Sequence, residues 1–226
     1  MRKIVMEREA LCNAIAEELA AAVEKKPNAV FGFTTVDVPL EVLDDVASCG
    51  ADFSGAAAFN VCEFLGDAAN GENAEAQRLR TALYGKIKFQ SISGPQDGED
   101  YDAAIRAAGG LDLVLLGIGE RGHVAFCEPG ADFSSGTYTV KLADITRRLA
   151  SERFGSLEET PTHGITMGIG TLLNARRILR VACGADKANA VQKTILGRPE
   201  SYIPASYLQL HSDVTVYLDP EAAEKL

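Results

Sequence analysis

The stretch LDLVLLGIGERGHVAFCEPG, residues 111–130, decides how this chain folds. Leucine and valine dominate its first six positions, and a near-continuous apolar run of that length predicts a strand buried on both faces. The run leads into a glycine-rich loop that carries His123, one of three histidines in the chain, and Glu128 follows five residues later. In an open α/β sheet, ligands sit at the carboxyl ends of strands. A His and a Glu on such a loop have the chemistry for general acid–base work on a bound substrate.

Outward from that strand, helical and extended patterns alternate. Residues 9–24 repeat Leu11, Ile15, Leu19 and Val23 at helical spacing, and Lys25-Lys26-Pro27-Asn28 ends the helix. Residues 29–33 predict a short strand, and residues 34–39 a loop whose Pro39 can open the next helix. One strand is predicted over 56–64, a helix over 74–84, a short strand over 87–92, a Gly/Pro/Asp loop over 94–100 and a helix over 101–108. A strand over 177–183, a turn at Gly184, a helix over 187–196 and a last strand over 214–218 complete the pattern. Strands alternating with helices imply an α/β fold, a mostly parallel sheet with helices on both faces. At 226 residues, one domain spanning 1–226 is expected.

Composition narrows the function classes. Nearly half the residues are apolar and mean hydropathy is close to zero, as in an ordinary globular protein. A net charge of −10 argues against nucleic-acid partners and leaves any phosphate site to be built locally. The sequence holds no run of eighteen apolar residues, and the opening MRKIVMEREALCN is too charged for a signal peptide. No membrane partner is therefore expected. Five scattered cysteines, an odd number, suit reduced thiols in a cytoplasmic protein. No CxxC or clustered His/Cys spacing suggests a metal, and no cofactor is expected.

The loop GIGERGHVAFCEP resembles the GxGxDGHxAFNEP signature of the glucosamine-6-phosphate deaminase/isomerase family, relatives of the 6-phosphogluconolactonases. FNVCEFLG (59–66) is similar to the family's FNxDEYxG, ITMGIGTLLNARRILRVACGADKANAV (165–191) to its TxGxGTLL…KAxAL segment, and PASYLQLHSDVTVYLD (204–219) to its closing SxLQLH pattern. The match runs from about residue 28 to the end, and the LQLH ending fits the deaminases better than the lactonases. The resemblance implies a Rossmann-like fold and a sugar-phosphate ligand. It also implies an aldose-to-ketose isomerisation coupled to loss of ammonia from C2.

By that resemblance, His123 stands where the family's ring-opening His stands, and Glu128 where its supporting Glu stands. Arg153 and Lys187 match phosphate-binding cations, and Thr35 opens the stretch that matches the phosphate loop. Outside this context, a lone loop His reads as a turn residue and an isolated Arg or Lys as a solvated charge. Four positions depart from the family. Cys62 replaces the carboxylate that takes the C2 proton; a free thiol is mostly protonated at neutral pH, and a small buried filler is the plain alternative. Arg121 replaces the Asp before Gly-His, where it would push the His pKa down or serve Cys62 by lowering its pKa. Cys127 replaces an Asn. The phosphate loop reads Thr35-Val36-Asp37-Val38-Pro39, whose Asp37 would oppose a phosphate.

Three functions stay open: a deaminase/isomerase with altered residues acting on glucosamine 6-phosphate or galactosamine 6-phosphate, a lactonase-like hydrolase or isomerase on another anionic sugar, and a non-catalytic sugar-phosphate sensor. Tyr138 and Val140 stand where allosteric members carry basic residues, so a non-allosteric monomer is expected.

Overall fold

Five consecutive buried residues, Leu113–Gly117, form the strand at the centre of the sheet. The computed structural model describes residues 1–66, 71–96 and 98–226. In chain order its elements are β1 (Arg2–Val5), α1 (Arg8–Lys25), β2 (Val30–Phe33), α2 (Leu40–Ser48), β3 (Ala57–Asn60), β4 (Cys62–Phe64) and α3 (Glu75–Leu79). A π-helical turn (Arg80–Tyr84) extends α3 and is followed by β5 (Ser91–Ser93), α4 (Gly98–Ala107), β6 (Leu113–Gly117), β7 (Tyr138–Lys141) and α5 (Asp144–Phe154). Then come β8 (His163–Thr166), α6 (Ile169–Leu173), β9 (Ile178–Ala182), α7 (Ala188–Leu196) and β10 (Val214–Leu218).

Seven strands form one sheet in the order β1-β10-β9-β6-β2-β3-β5, with every neighbouring pair parallel. Successive side chains of a strand point to opposite faces, and in β6 each face has its own core. Leu113 and Leu115 pack with Leu11, Ile15 and Leu19 of α1 and with Val42 and Leu43 of α2. Val114 and Leu116 pack with Ile105 of α4, Leu172 of α6 and Val191 of α7. The expected α/β fold, a mostly parallel sheet covered on both faces, is what forms. Among the described residues, no helix is long and apolar enough to cross a membrane.

The strand expected over 56–64 is two strands. At Val61 the chain leaves the large sheet, and Cys62–Phe64 pairs antiparallel with β8 in a second, three-stranded sheet ordered β4-β8-β7. Both halves are buried, so the apolar run passes through the corner without a break. The strand expected over 87–92 is shorter and shifted, at Ser91–Ser93. Helix α4 starts at Gly98, inside the stretch expected as a loop; residue 97 of that stretch lies outside the described residues.

The order of strands fixes where a ligand can sit. β2 and β6 are neighbours. β2 leads into α2, which buries its apolar face in the first core, whereas β6 leads into a loop whose Val124 and Phe126 belong to the second. The connections diverge at this point, and a crevice opens at the carboxyl ends of the two strands.

Candidate active site

Two glycines at the end of β6 bring the crevice walls together. A Cβ on Gly117 would lie 2.4 Å from the Asp37 backbone, and one on Gly119 would lie 2.0 Å from the His123 ring. Only glycine lets the loop after β2 cross Gly117 and the imidazole lie against Gly119. Asp37 itself has φ of 56°, in the left-handed region that Asp tolerates better than most side chains. That turn aims its carboxylate between two cationic groups. His123 Nε2 lies 2.9 Å from Asp37 Oδ2, and Lys187 Nζ donates to Asp37 Oδ1 at 2.8 Å.

The three groups hold one another's charge. Burial alone would raise the Asp37 pKa, but the hydrogen bond from His123, its charge and the Lys187 ammonium hold it far below the usual carboxylate range. Burial would likewise depress His123. The Asp37 hydrogen bond and charge, helped by Glu128, outweigh that and raise the imidazole above its ordinary value. Lys187 follows the same balance: burial lowers its pKa, Asp37 raises it, and the net shift is upward.

A second charged group lies across the crevice on α3 and α5. Glu75 is fully buried. Its Oε1 accepts from Arg153 Nη2 at 2.9 Å, and its Oε2 accepts from the Thr35 hydroxyl at 2.6 Å and the Thr35 amide at 3.1 Å. Arg78 Nε donates to the Thr35 hydroxyl oxygen at 3.0 Å. Arg153 also donates to the Asn73 carbonyl at 2.6 Å and stacks over Phe64, 5.3 Å from the ring centre. Between the two groups lies a cleft of about 210 Å³, with Asp37 and His123 on one side, Arg78 and Arg153 on the other, and Phe64 and Phe126 among its apolar lining. The volume falls below the roughly 300–1,000 Å³ of drug-sized sites and suits a small polar ligand.

Of the residues singled out in the sequence, His123, Arg153 and Thr35 line this cleft. Lys187 does not line it, because its ammonium lies behind Asp37. Arg153 and Lys187 therefore do not converge on one vacant anion position: Glu75 holds the first and Asp37 the second. Thr35 gives both its hydroxyl proton and its amide to Glu75, so it braces Glu75 and Arg78. Glu128 acts on His123 through its charge; one of its oxygens accepts from the Ala143 amide at 3.0 Å, and the other is buried without a partner among the described residues.

Cys62 and Arg121 do not meet. Arg121 is exposed on the turn before Gly122 and borders a different surface hollow, with Lys193 and Tyr202. Cys62 is fully buried, 3.5 Å from the Thr34 hydroxyl, and outside the cleft lining. Burial first, then Glu75 and Glu63, push its pKa well above that of a free thiol, with Thr34 and Arg153 opposing. The charges acting on Cys62 do not include Arg121, so the expected thiolate base activated by that guanidinium is replaced by a neutral, buried thiol. Cys127 is buried too; desolvation raises it to about 12 while its thiol bonds the Met167 carbonyl. Glu63 caps α3, accepting from the Phe64, Glu75 and Ala76 amides at 2.8, 2.9 and 2.8 Å.

Sequence reasoning misread Asp37 and missed Arg78, which lines the cleft, and Glu75, which is buried behind it. Asp37 is read there as repelling phosphate, whereas it is the acidic partner of His123. Glu75 and Arg78 lie three positions apart in the helix expected over 74–84, outside the motifs quoted above, and spacing alone gives them no functional signal.

Comparison with known proteins gives a consistent result. The sequence model described as glucosamine-6-phosphate isomerases/6-phosphogluconolactonase matches residues 8–217. A glucosamine-6-phosphate deaminase of Clostridium botulinum (strain Hall) is 37% identical over 243 aligned positions, covering 100% of this chain and 99% of the relative. The deaminase of Mycolicibacterium smegmatis is 37% identical over 229 positions, covering 93% and 87%. Among solved structures, a monomeric glucosamine-6-phosphate deaminase superposes over 100% of both chains with a TM-score of 0.94 at 31% identity. A 6-phosphogluconolactonase from Leishmania guyanensis shares the fold at 18% identity, with a TM-score of 0.77 over 100% and 98% of the chains.

Proposed function

We propose that this chain, which belongs to the glucosamine-6-phosphate isomerase/6-phosphogluconolactonase family, is an amino-sugar-phosphate deaminase. It opens the ring of glucosamine 6-phosphate or galactosamine 6-phosphate and moves the C2 proton to C1, and water then hydrolyses the resulting C2 imine to give the ketose phosphate and ammonia. The observation that carries the reading is the His123–Asp37 pair, 2.9 Å apart and lining the cleft.

The geometry supports a division of labour. His123, kept protonated by Asp37, is the acid that protonates the ring oxygen as C1–O5 breaks, while the O1 hydroxyl gives its proton to solvent and C1=O1 forms; Asp37 orients the imidazole and stabilises its charge. Cys62 is a neutral thiol outside the cleft, so removal of the C2 proton falls to Asp37, the carboxylate that lines the cleft among the described residues. A carboxylate held below its ordinary pKa is a weaker base for this step than a free one. Glu128 backs the imidazole, and Arg153 holds the phosphate end. The protein acts as a monomer, in line with the solved deaminase described as monomeric; a hexamer by light scattering overturns that part.

A second reading draws on the neutral Cys62 itself. A lactone hydrolase needs no base at C2, and a His–Asp pair can activate water. One panel separates the readings. Ammonia and ketose phosphate from glucosamine 6-phosphate support the deaminase. Acid from a 6-phosphosugar lactone, without ammonia from the amino sugar, supports the hydrolase. Binding with neither product leaves a sensor.

A further inference from the structure

Lys187 and Arg78 are the two candidates to help Arg153 hold an anion, and the fold treats them oppositely. Lys187 already has a full negative charge on it, Asp37 at 2.8 Å, and both side chains are 14% exposed. A phosphate placed at Lys187 would lie against the Asp37 carboxylate. Arg78 is anchored through Nε alone, by the Thr35 hydroxyl at 3.0 Å. Among the described residues its two terminal nitrogens have no partner, and its side chain lines the cleft beside Arg153.

We propose that Arg78, not Lys187, is the second cation of the anion subsite, so that the sugar's phosphate monoester is gripped between the Arg78 and Arg153 guanidiniums. The inference rests on the sugar-phosphate reading and refines its recognition step. Three features support it. Arg78 and Arg153 share one carboxylate, Glu75, directly for Arg153 and through Thr35 for Arg78, so both guanidiniums are held side by side on this wall. The two guanidiniums are close enough for Arg153 to join burial in lowering the Arg78 pKa, a repulsion that a bound anion relieves. Thr146, 7% exposed, also lines the cleft, and its buried hydroxyl has no partner among the described residues. Guanidinium forks match phosphate oxygens bidentately, and a hydroxyl adds a third donor.

Calorimetric titration of the full chain with glucosamine 6-phosphate, glucosamine and inorganic phosphate tests the assignment. Arg78→Ala is expected to weaken glucosamine 6-phosphate and inorganic phosphate by about 10- to 100-fold, leaving glucosamine unchanged. Lys187→Ala is expected to change phosphate affinity by less than about threefold while raising the His123 pKa, because the ammonium opposes protonation of the imidazole. Arg78→Lys, which keeps the charge and loses the fork, should fall between wild type and Arg78→Ala and covers the case in which the alanine variant fails to fold. Equal affinity in Arg78→Ala and wild type, a larger loss in Lys187→Ala, or no phosphate binding by the wild type each overturns the proposal. An Arg78-dependent phosphate affinity without ammonia release keeps this subsite and removes the deaminase reading. Ammonia release indifferent to Arg78 does the reverse.

Discussion

Both walls of the cleft are built from cations around one carboxylate, yet they offer a ligand opposite things. On the wall made by the loops after β2 and β6, the carboxylate of Asp37 lines the cleft and the ammonium of Lys187 lies behind it. On the wall made by α3 and α5, the Glu75 carboxylate is fully buried, and Arg78 and Arg153 line the cleft. The sign of what a wall presents is set by which partner faces the cleft, not by composition. In a medium of low effective dielectric that ordering decides what the ligand feels. The first wall presents a pair for moving protons; the second presents positive charge for an anion.

The largest effect should come from breaking the first wall. His123→Asn removes the acid and is expected to lower kcat for ammonia release by about 10²–10⁴-fold with binding nearly unchanged. The second wall should respond in stability instead. Glu75→Gln leaves Arg153 and Arg78 without their shared charge and is expected to cost about 2–3 kcal/mol in a denaturant titration. A Glu75→Gln protein as stable as wild type would mean that solvent, not Glu75, balances these guanidiniums, and the contrast between the walls would fail.

The two walls were also unequally legible in the sequence. The strand of residues 113–117 and the helices after it show in apolar periodicity, because burial on one or both faces is what that pattern records. The resemblance brought His123, Arg153 and Thr35 to one site. Asp37 was misread because its role depends on a left-handed backbone turn and on Lys187, 150 positions away. The corner at Val61 was invisible because the chain passes from one buried sheet to another without a polar break. That corner turns Cys62 away from the cleft, which spacing alone did not reveal. Glu75 and Arg78 lie outside the quoted motifs, and their importance appears only once α3 packs against Arg153 and Thr35.

A smaller effect sharpens the comparison by titration. The folded-state pKa of His123 is raised, so its contribution to stability is fully present below an unfolded value of about 6.5 and is lost as pH rises through the raised value. Asp37 runs the other way: its pKa is lowered, so its contribution is present above about 3.9 and lost as pH falls toward the folded value. The pair is therefore strongest between those limits. Asp37→Asn leaves burial as the dominant influence on the imidazole, and NMR titration should place the His123 pKa below about 6.5. A pKa that stays raised would assign the effect to Glu128.

The smallest effect belongs to the residue that the family pattern would make the base. Cys62→Ala removes a fully buried, neutral thiol whose hydrogen-bond neighbour is the Thr34 hydroxyl at 3.5 Å. If Asp37 does the proton work, kcat should change by no more than about threefold, against the 10²–10⁴-fold cost of losing a positioned base. Iodoacetamide gives an independent reading, because alkylation follows thiolate fraction and access. Exposed Cys49 should label first, half-buried Cys183 next, and buried Cys62 only as the protein opens. Arg121→Ala should leave the Cys62 rate unchanged, since that guanidinium borders a different surface hollow. Rapid labelling of Cys62 that slows in Arg121→Ala would mean that the corner at Val61 opens in solution and brings the thiol toward the ligand. The acid–base work would then be shared between Cys62 and Asp37, and the first wall would no longer act alone.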